Sequence, residues 1–171
     1  MRVRTHQHEE TWSEAAYSDC ETYRYRLSRV WDKTGPRITF IMLNPSKASE
    51  SHNDPTIERC ERRARAMRFG AFRVVNIFAW RETSPAKLRR APHPIGPEND
   101  AEIAGAVQWA DLVLAAWGVH GAHLDRGPTV AQDLRDSGYL LYHLGLTSAG
   151  HPRHPLYRPY SAKPELWTPE N

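Results

Sequence analysis

Residues 38–43, Ile-Thr-Phe-Ile-Met-Leu, form a nearly unbroken apolar run that stops at Asn44-Pro45-Ser46. β-Branched and aromatic residues dominate it, so it reads as a strand buried on both faces. Strands of that kind belong to parallel sheets covered by helices, which constrains the chain more than any other feature does. Parallel sheets bind ligands outside the carboxyl ends of their strands. Asn44 stands at such an end, ahead of a proline and a polar loop.

The rest of the chain repeats the order. Asp54-Pro55 reads as a helix cap and first helical residue, and the helix runs to about Arg68 with Ile57, Cys60, Ala64 and Met67 on one face and Gly70 as its stop. A second strand covers 72–78, a proline-rich loop 79–97, a helix 98–110, a third strand 112–117, a helix 128–137 and a fourth strand 139–144. Strand–helix alternation of this length predicts a four-stranded parallel sheet between helices, an α/β three-layer sandwich. Residues 22–31 alternate like a half-exposed strand and are expected to add one antiparallel N-terminal strand. The division expected is a polar segment over 1–20, a single domain over 21–160 and an irregular tail over 161–171.

With 171 residues the chain is long enough for one domain with a substantial core. Cys20 and Cys60 are its only cysteines, too few for a disulfide framework, a zinc site or an iron–sulfur cluster on their own. No run has the length of a membrane span, and residues 1–10 lack the apolar core of a signal peptide. A cytoplasmic monomer without cofactor or metal is the expectation. The net charge of +3 is carried mostly by arginine, lysine occurring only at 33, 47, 87 and 163. Arginine gives bidentate contacts to phosphate and stacks on bases, although a GC-rich genome also favours it.

The strand ends bring Asn44, then 76–80, then Trp117-Gly118, then the segment GHPRHPLY of 150–157 towards one cleft. No acidic residue lies at a strand tip, which speaks against a carboxylate pair. The segment MLNPSK lacks the glycines of a phosphate loop. A pairing of His120-x-x-His123 with His151-x-x-His154 is a rival metal site, weakened by the Gly/Pro-rich loops that hold both pairs.

The segments FIMLNPS, FRVVNIFAWRETSP, IAGAVQWADLVLAAWG and GHPRHPLY resemble a small family of bacterial and phage proteins, domain of unknown function number 1643, over about residues 20–160. A more distant resemblance is to the uracil-DNA glycosylase superfamily. Members of that superfamily carry an Asn-Pro motif after the first core strand, an asparagine at the end of the second and a His-Pro motif with a leucine wedge after the fourth. Met42-Leu43-Asn44-Pro45-Ser46, Asn76 and His151-Pro152-Arg153-His154-Pro155-Leu156 occupy the same order here. The last motif is one residue longer than its usual form, so His151 and His154 both remain candidate donors.

This resemblance implies a glycosylase-like hydrolase acting on an N-glycosidic bond, with a modified pyrimidine as open a substrate as uracil. Asn44 would position water, and His151 or His154 would stabilise the leaving base. Asn76 would read a base edge, Trp80 or Trp117 would stack on it, and Leu156 would fill the gap left by an extruded base. Pro45, Ser46, Asp54 and Arg153 complete the candidate binding set. The expected partner is a nucleic acid, DNA ahead of RNA, or a free nucleoside or nucleotide. A non-catalytic reader built on the same cleft is the alternative. Each residue also has a plainer reading: Asn44-Pro45-Ser46 as a turn, Asp54 as a cap, the tryptophans as core.

Overall fold

The computed structural model describes residues 1–169. Its strands are β1 (Arg2–His8), β2 (Thr11–Tyr17), β3 (Arg24–Val30), β4 (Arg37–Met42), β5 (Ala71–Asn76), β6 (Leu112–Ala115), β7 (Tyr142–His143) and β8 (Glu165–Leu166). The helices are α1 (Pro55–Ala66), α2 (Pro85–Arg90), α3 (Asn99–Trp109) and α4 (Arg126–Asp136), with 3₁₀ segments at Val119–Asp125 and Pro155–Tyr157. All eight strands form one sheet in the order β1-β2-β3-β5-β4-β6-β7-β8. Its centre, β5-β4-β6-β7, is parallel, as the apolar runs imply.

β4 lies between the two strands that follow it in the chain, β5 on one side and β6 on the other. The chain therefore reverses its direction of travel across the sheet at β4, and a crevice opens where the loops after β4 and β6 diverge. Helices cover both faces of the sheet. Ile38, Phe40, Met42, Phe72 and Val74 pack with Ile57, Cys60 and Ala64 of α1. Ile41, Val75 and Val113 pack with α2, α3 and α4 through Leu88, Ile103, Val107, Val130 and Leu134. The one polar side chain inside β4, Thr39, donates its hydroxyl to the Ala106 carbonyl at 2.9 Å, which satisfies it within the core.

Several expectations are corrected. Residues 2–17, read as a polar segment, form the hairpin β1–β2, which extends the sheet beyond β3. The proline-rich loop contains α2, started by Ser84 and Pro85. The fourth parallel strand is only two residues long, and the tail returns as β8 to pair antiparallel with it. α1 starts at Asp54 as expected, the carboxylate accepting from Ile57 N at 2.9 Å, but Gly70 does not end it. The left-handed residue is Arg68, at φ 63°. Gly70 is required instead by close approach, since a Cβ there would lie 2.2 Å from the Asp32 carbonyl oxygen. No helix among the described residues is long and apolar enough to cross a membrane.

Candidate functional site

A cleft of about 610 Å³ sits at the reversal point, over the carboxyl ends of the parallel strands. Asn44, Ser46, Asp54, Trp117, Arg153, His154 and Leu156 of the sequence-predicted set line it. Asn76, Trp80, Pro45 and His151 do not.

Asn44 is fixed by its own amide. Its Nδ2 donates to the Glu82 carbonyl at 2.6 Å and more weakly to Pro45 and Trp80 carbonyls. Those three acceptors assign the NH₂ end, so Oδ1 is the end left for the cleft. No described residue donates to it. Pro45 is buried, and its carbonyl accepts from Glu82 N at 2.9 Å, so its part is to hold the loop rather than to contact a ligand.

His154 precedes the 3₁₀ turn Pro155–Tyr157, and its Nδ1 accepts from Leu156 N at 3.3 Å. That bond selects the tautomer with hydrogen on Nε2. Burial lowers the imidazole to about 4, against a smaller upward pull from the Asp54 carboxylate, so at neutral pH the ring is an uncharged N–H donor. Gly118, at φ 72°, lets the loop after β6 pass beside it, and Gly118 N donates to the Pro152 carbonyl at 2.7 Å. His151 instead turns into a local loop, its N–H on Thr147 Oγ1 at 3.1 Å. Between the two candidate histidines, geometry separates what sequence could not.

The remaining residues divide sharply. Trp117 is 1% exposed and packs on Trp167, at 5.7 Å between centroids, and against Gly121 and Gly127, so it is core that shows one edge to the cleft. Trp80 stands edge-on to Tyr23 at 5.8 Å and lines a neighbouring depression. Asn76 is 1% exposed and neither amide atom has a partner. Asp54 lines the cleft, but both of its oxygens accept backbone N–H groups, from Ile57 and Ala48. Glu82 accepts from Thr83 N and Ser84 N on one oxygen, Oε1. His120 lines the cleft and takes Arg89 on its Nδ1 at 2.7 Å, and His123 lies against Phe78. Among the described residues no group of three or more His, Cys, Asp or Glu is placed to hold a metal ion.

Arginine builds the walls. A β-bulge in β3 at its Tyr17 contact turns buried Arg24 towards the β4–α1 loop, where it donates to the Ala48 carbonyl at 2.8 Å. Burial, partly offset by Asp54, pulls its guanidinium down to about 10. Arg29 holds the same loop through Ser49 O and Asn53 Oδ1, at 2.6 and 3.0 Å. On the opposite wall Arg59 donates to the Pro155 and Arg158 carbonyls, and buried Arg63 to those of Pro159 and Ala162. Arg59 and Arg63 of α1 are thus committed to the C-terminal segment. Sequence reasoning missed Tyr157, which is 81% exposed at the cleft rim and directly follows the Leu156 that it did select.

No curated protein and no solved structure matches the chain. A family model described as "Protein of unknown function (DUF1643)" matches residues 24–156, which takes in every parallel strand and the lining of the cleft up to Leu156, and the chain belongs to that family.

Proposed function

We propose that the chain recognises a nucleobase and hydrolyses an N-glycosidic bond, as a glycosylase-like enzyme on a frame of the uracil-DNA glycosylase kind. The observation that carries this reading is the pair formed by Asn44 and His154: an uncommitted amide oxygen and a neutral imidazole N–H on one cleft, each held by backbone. Hydrolysis forms a bond between water oxygen and the sugar carbon and breaks the carbon–nitrogen bond, whose electron pair leaves with the base. Asn44 Oδ1 orients the water by accepting a hydrogen bond from it. His154 Nε2–H donates to a base oxygen as negative charge gathers there, and the water proton ends on the departing base. A neutral donor suits this step, since it is present at pH 7 without protonation. Below the cleft floor, the unpaired amide of Asn76 offers one donor and one acceptor to a base edge that reaches that depth.

A second reading has its own support. Both Asp54 oxygens and Oε1 of Glu82 are already engaged by backbone N–H groups, and in the arrangement above it is the Asn44 amide that guides the water. An amide is a feeble base, so a protein that binds the base without cleaving it is the alternative.

The deciding experiment incubates the protein with oligonucleotides and nucleosides carrying assorted bases, DNA and RNA, and detects released base by mass. His154→Ala should slow release about 10²–10³-fold, the effect of losing one oxyanion donor, while His151→Ala stays near wild type. Equal loss in both variants would refute the assignment. Binding without release from any substrate would establish the reader.

A further inference from the structure

Beside the cleft lies a second depression of about 470 Å³ that carries Trp80 and Arg81. The two share a wall of Ser46, Glu82 and Thr83, where the Ser46 and Thr83 hydroxyls meet at 2.9 Å. An aromatic ring stands at each end of the combined groove: half-buried Trp80 at one, Tyr157, 81% exposed, at the other. Charge is arranged to match. Lys47 and Arg153 at the cleft and Arg81 at the depression have no carboxylate within ion-pair distance among the described residues. The acids of the groove are engaged instead: Asp54 and Glu82 by backbone, Glu21 by Arg4.

We infer that the ligand of this groove is a single-stranded nucleic acid rather than a monomer, with one base in the Asn44–His154 cleft and its neighbours stacked on Trp80 and Tyr157. This rests on the nucleobase reading above. Rings that reach the surface, Tyr157 largely and Trp80 in part, stack on bases only where those bases are not already stacked in a duplex, and cations without a carboxylate partner beside them take the phosphates between. Trp80, assigned by sequence to the base in the cleft, serves the adjacent nucleotide in this arrangement.

The test compares binding of deoxynucleoside monophosphates, a mixed-sequence single strand of about 10 nucleotides and its duplex. The single strand should bind more than tenfold tighter than any monophosphate and tighter than the duplex. Tyr157→Ala, a change at an exposed side chain whose ring stands 6.1 Å from that of His154, should weaken strand binding roughly 5- to 150-fold and monophosphate binding by less. Because Trp80 also packs on Tyr23, Trp80→Ala is read with a thermal melt, and Trp80→Phe should retain strand binding. A strand that binds no tighter than a monophosphate, or that is indifferent to Tyr157→Ala, overturns the inference and leaves the nucleobase reading standing. Failure of both monophosphates and strands to bind overturns the two together.

Discussion

Asn44 and Asn76 both end apolar strands of the same parallel sheet, and those strands are neighbours, yet their fates are opposite. Met42 is the register partner of Asn76, so Asn44 stands two residues, about 6–7 Å, nearer the mouth. The β4–β5 ladder continues past Asn76, with Ile77 N on the Met42 carbonyl at 2.9 Å and Phe78 N on the Leu43 carbonyl at 3.0 Å, so the paired strands run on beyond it, and its side chain is 1% exposed. Asn44 keeps its NH₂ satisfied by Glu82 and holds its oxygen at the cleft. Asn76 has neither atom satisfied. The same residue at two strand ends thus becomes a fixed acceptor in one place and a buried, unpaired amide in the other. Unpaired buried amides are costly, so each calls for a physical account.

The sharpest way to break this comparison is through turnover. Asn44→Ala should reduce base release by about 10²–10³-fold while costing only about 1 kcal/mol of stability for the lost bond to Glu82. Kinetics with a parallel melt checks it, and unaltered release would move the water elsewhere. Asn76→Leu should act with opposite signs on two readouts. Removing two unpaired buried groups should raise the unfolding free energy by about 1–3 kcal/mol, while ligand affinity falls. A loss of stability on denaturant unfolding would mean that Asn76 has partners in solution, and unchanged affinity would remove it from recognition. The smallest effect is that of pH on His154. Its folded value of about 4 lies below the ordinary value of about 6.5. Its contribution is therefore complete above pH ~6.5 and is lost as pH falls towards 4, by about 1–2 kcal/mol after allowance for partial exposure. Wild type should lose more stability than His154→Gln between pH 7 and 4.5, and parallel losses would exclude His154 as the cause.

Much of the fold was legible because its signals are local. The run at 38–43 declares a strand with two buried faces, and Asp54-Pro55 declares a helix start; both stand in the structure. What was missed depends on partners distant in sequence. β1 is exposed along its whole length and reads as polar, because only pairing with β2 makes it a strand. β8 is two residues whose partner is β7. Arg63 is an arginine on a polar, arginine-rich helix, yet it is 1% exposed, and the tail supplies carbonyls for it.

For the cleft, the sequence by itself determined the ingredients: a parallel sheet, hence a place where its loops must converge, and Asn44, Asp54, Trp117 and the 151–157 segment as what those loops deliver. Periodicity and turn chemistry suffice for that, because they are properties of residues close together in the chain. The tertiary structure alone decided which side chains face one another. Strand register set Asn44 at the mouth and Asn76 below it, one backbone bond from Leu156 set the tautomer of His154, and a turn on Thr147 took His151 away. Each depends on a contact within a few ångströms, and a chain read in one dimension carries no record of which distances become short.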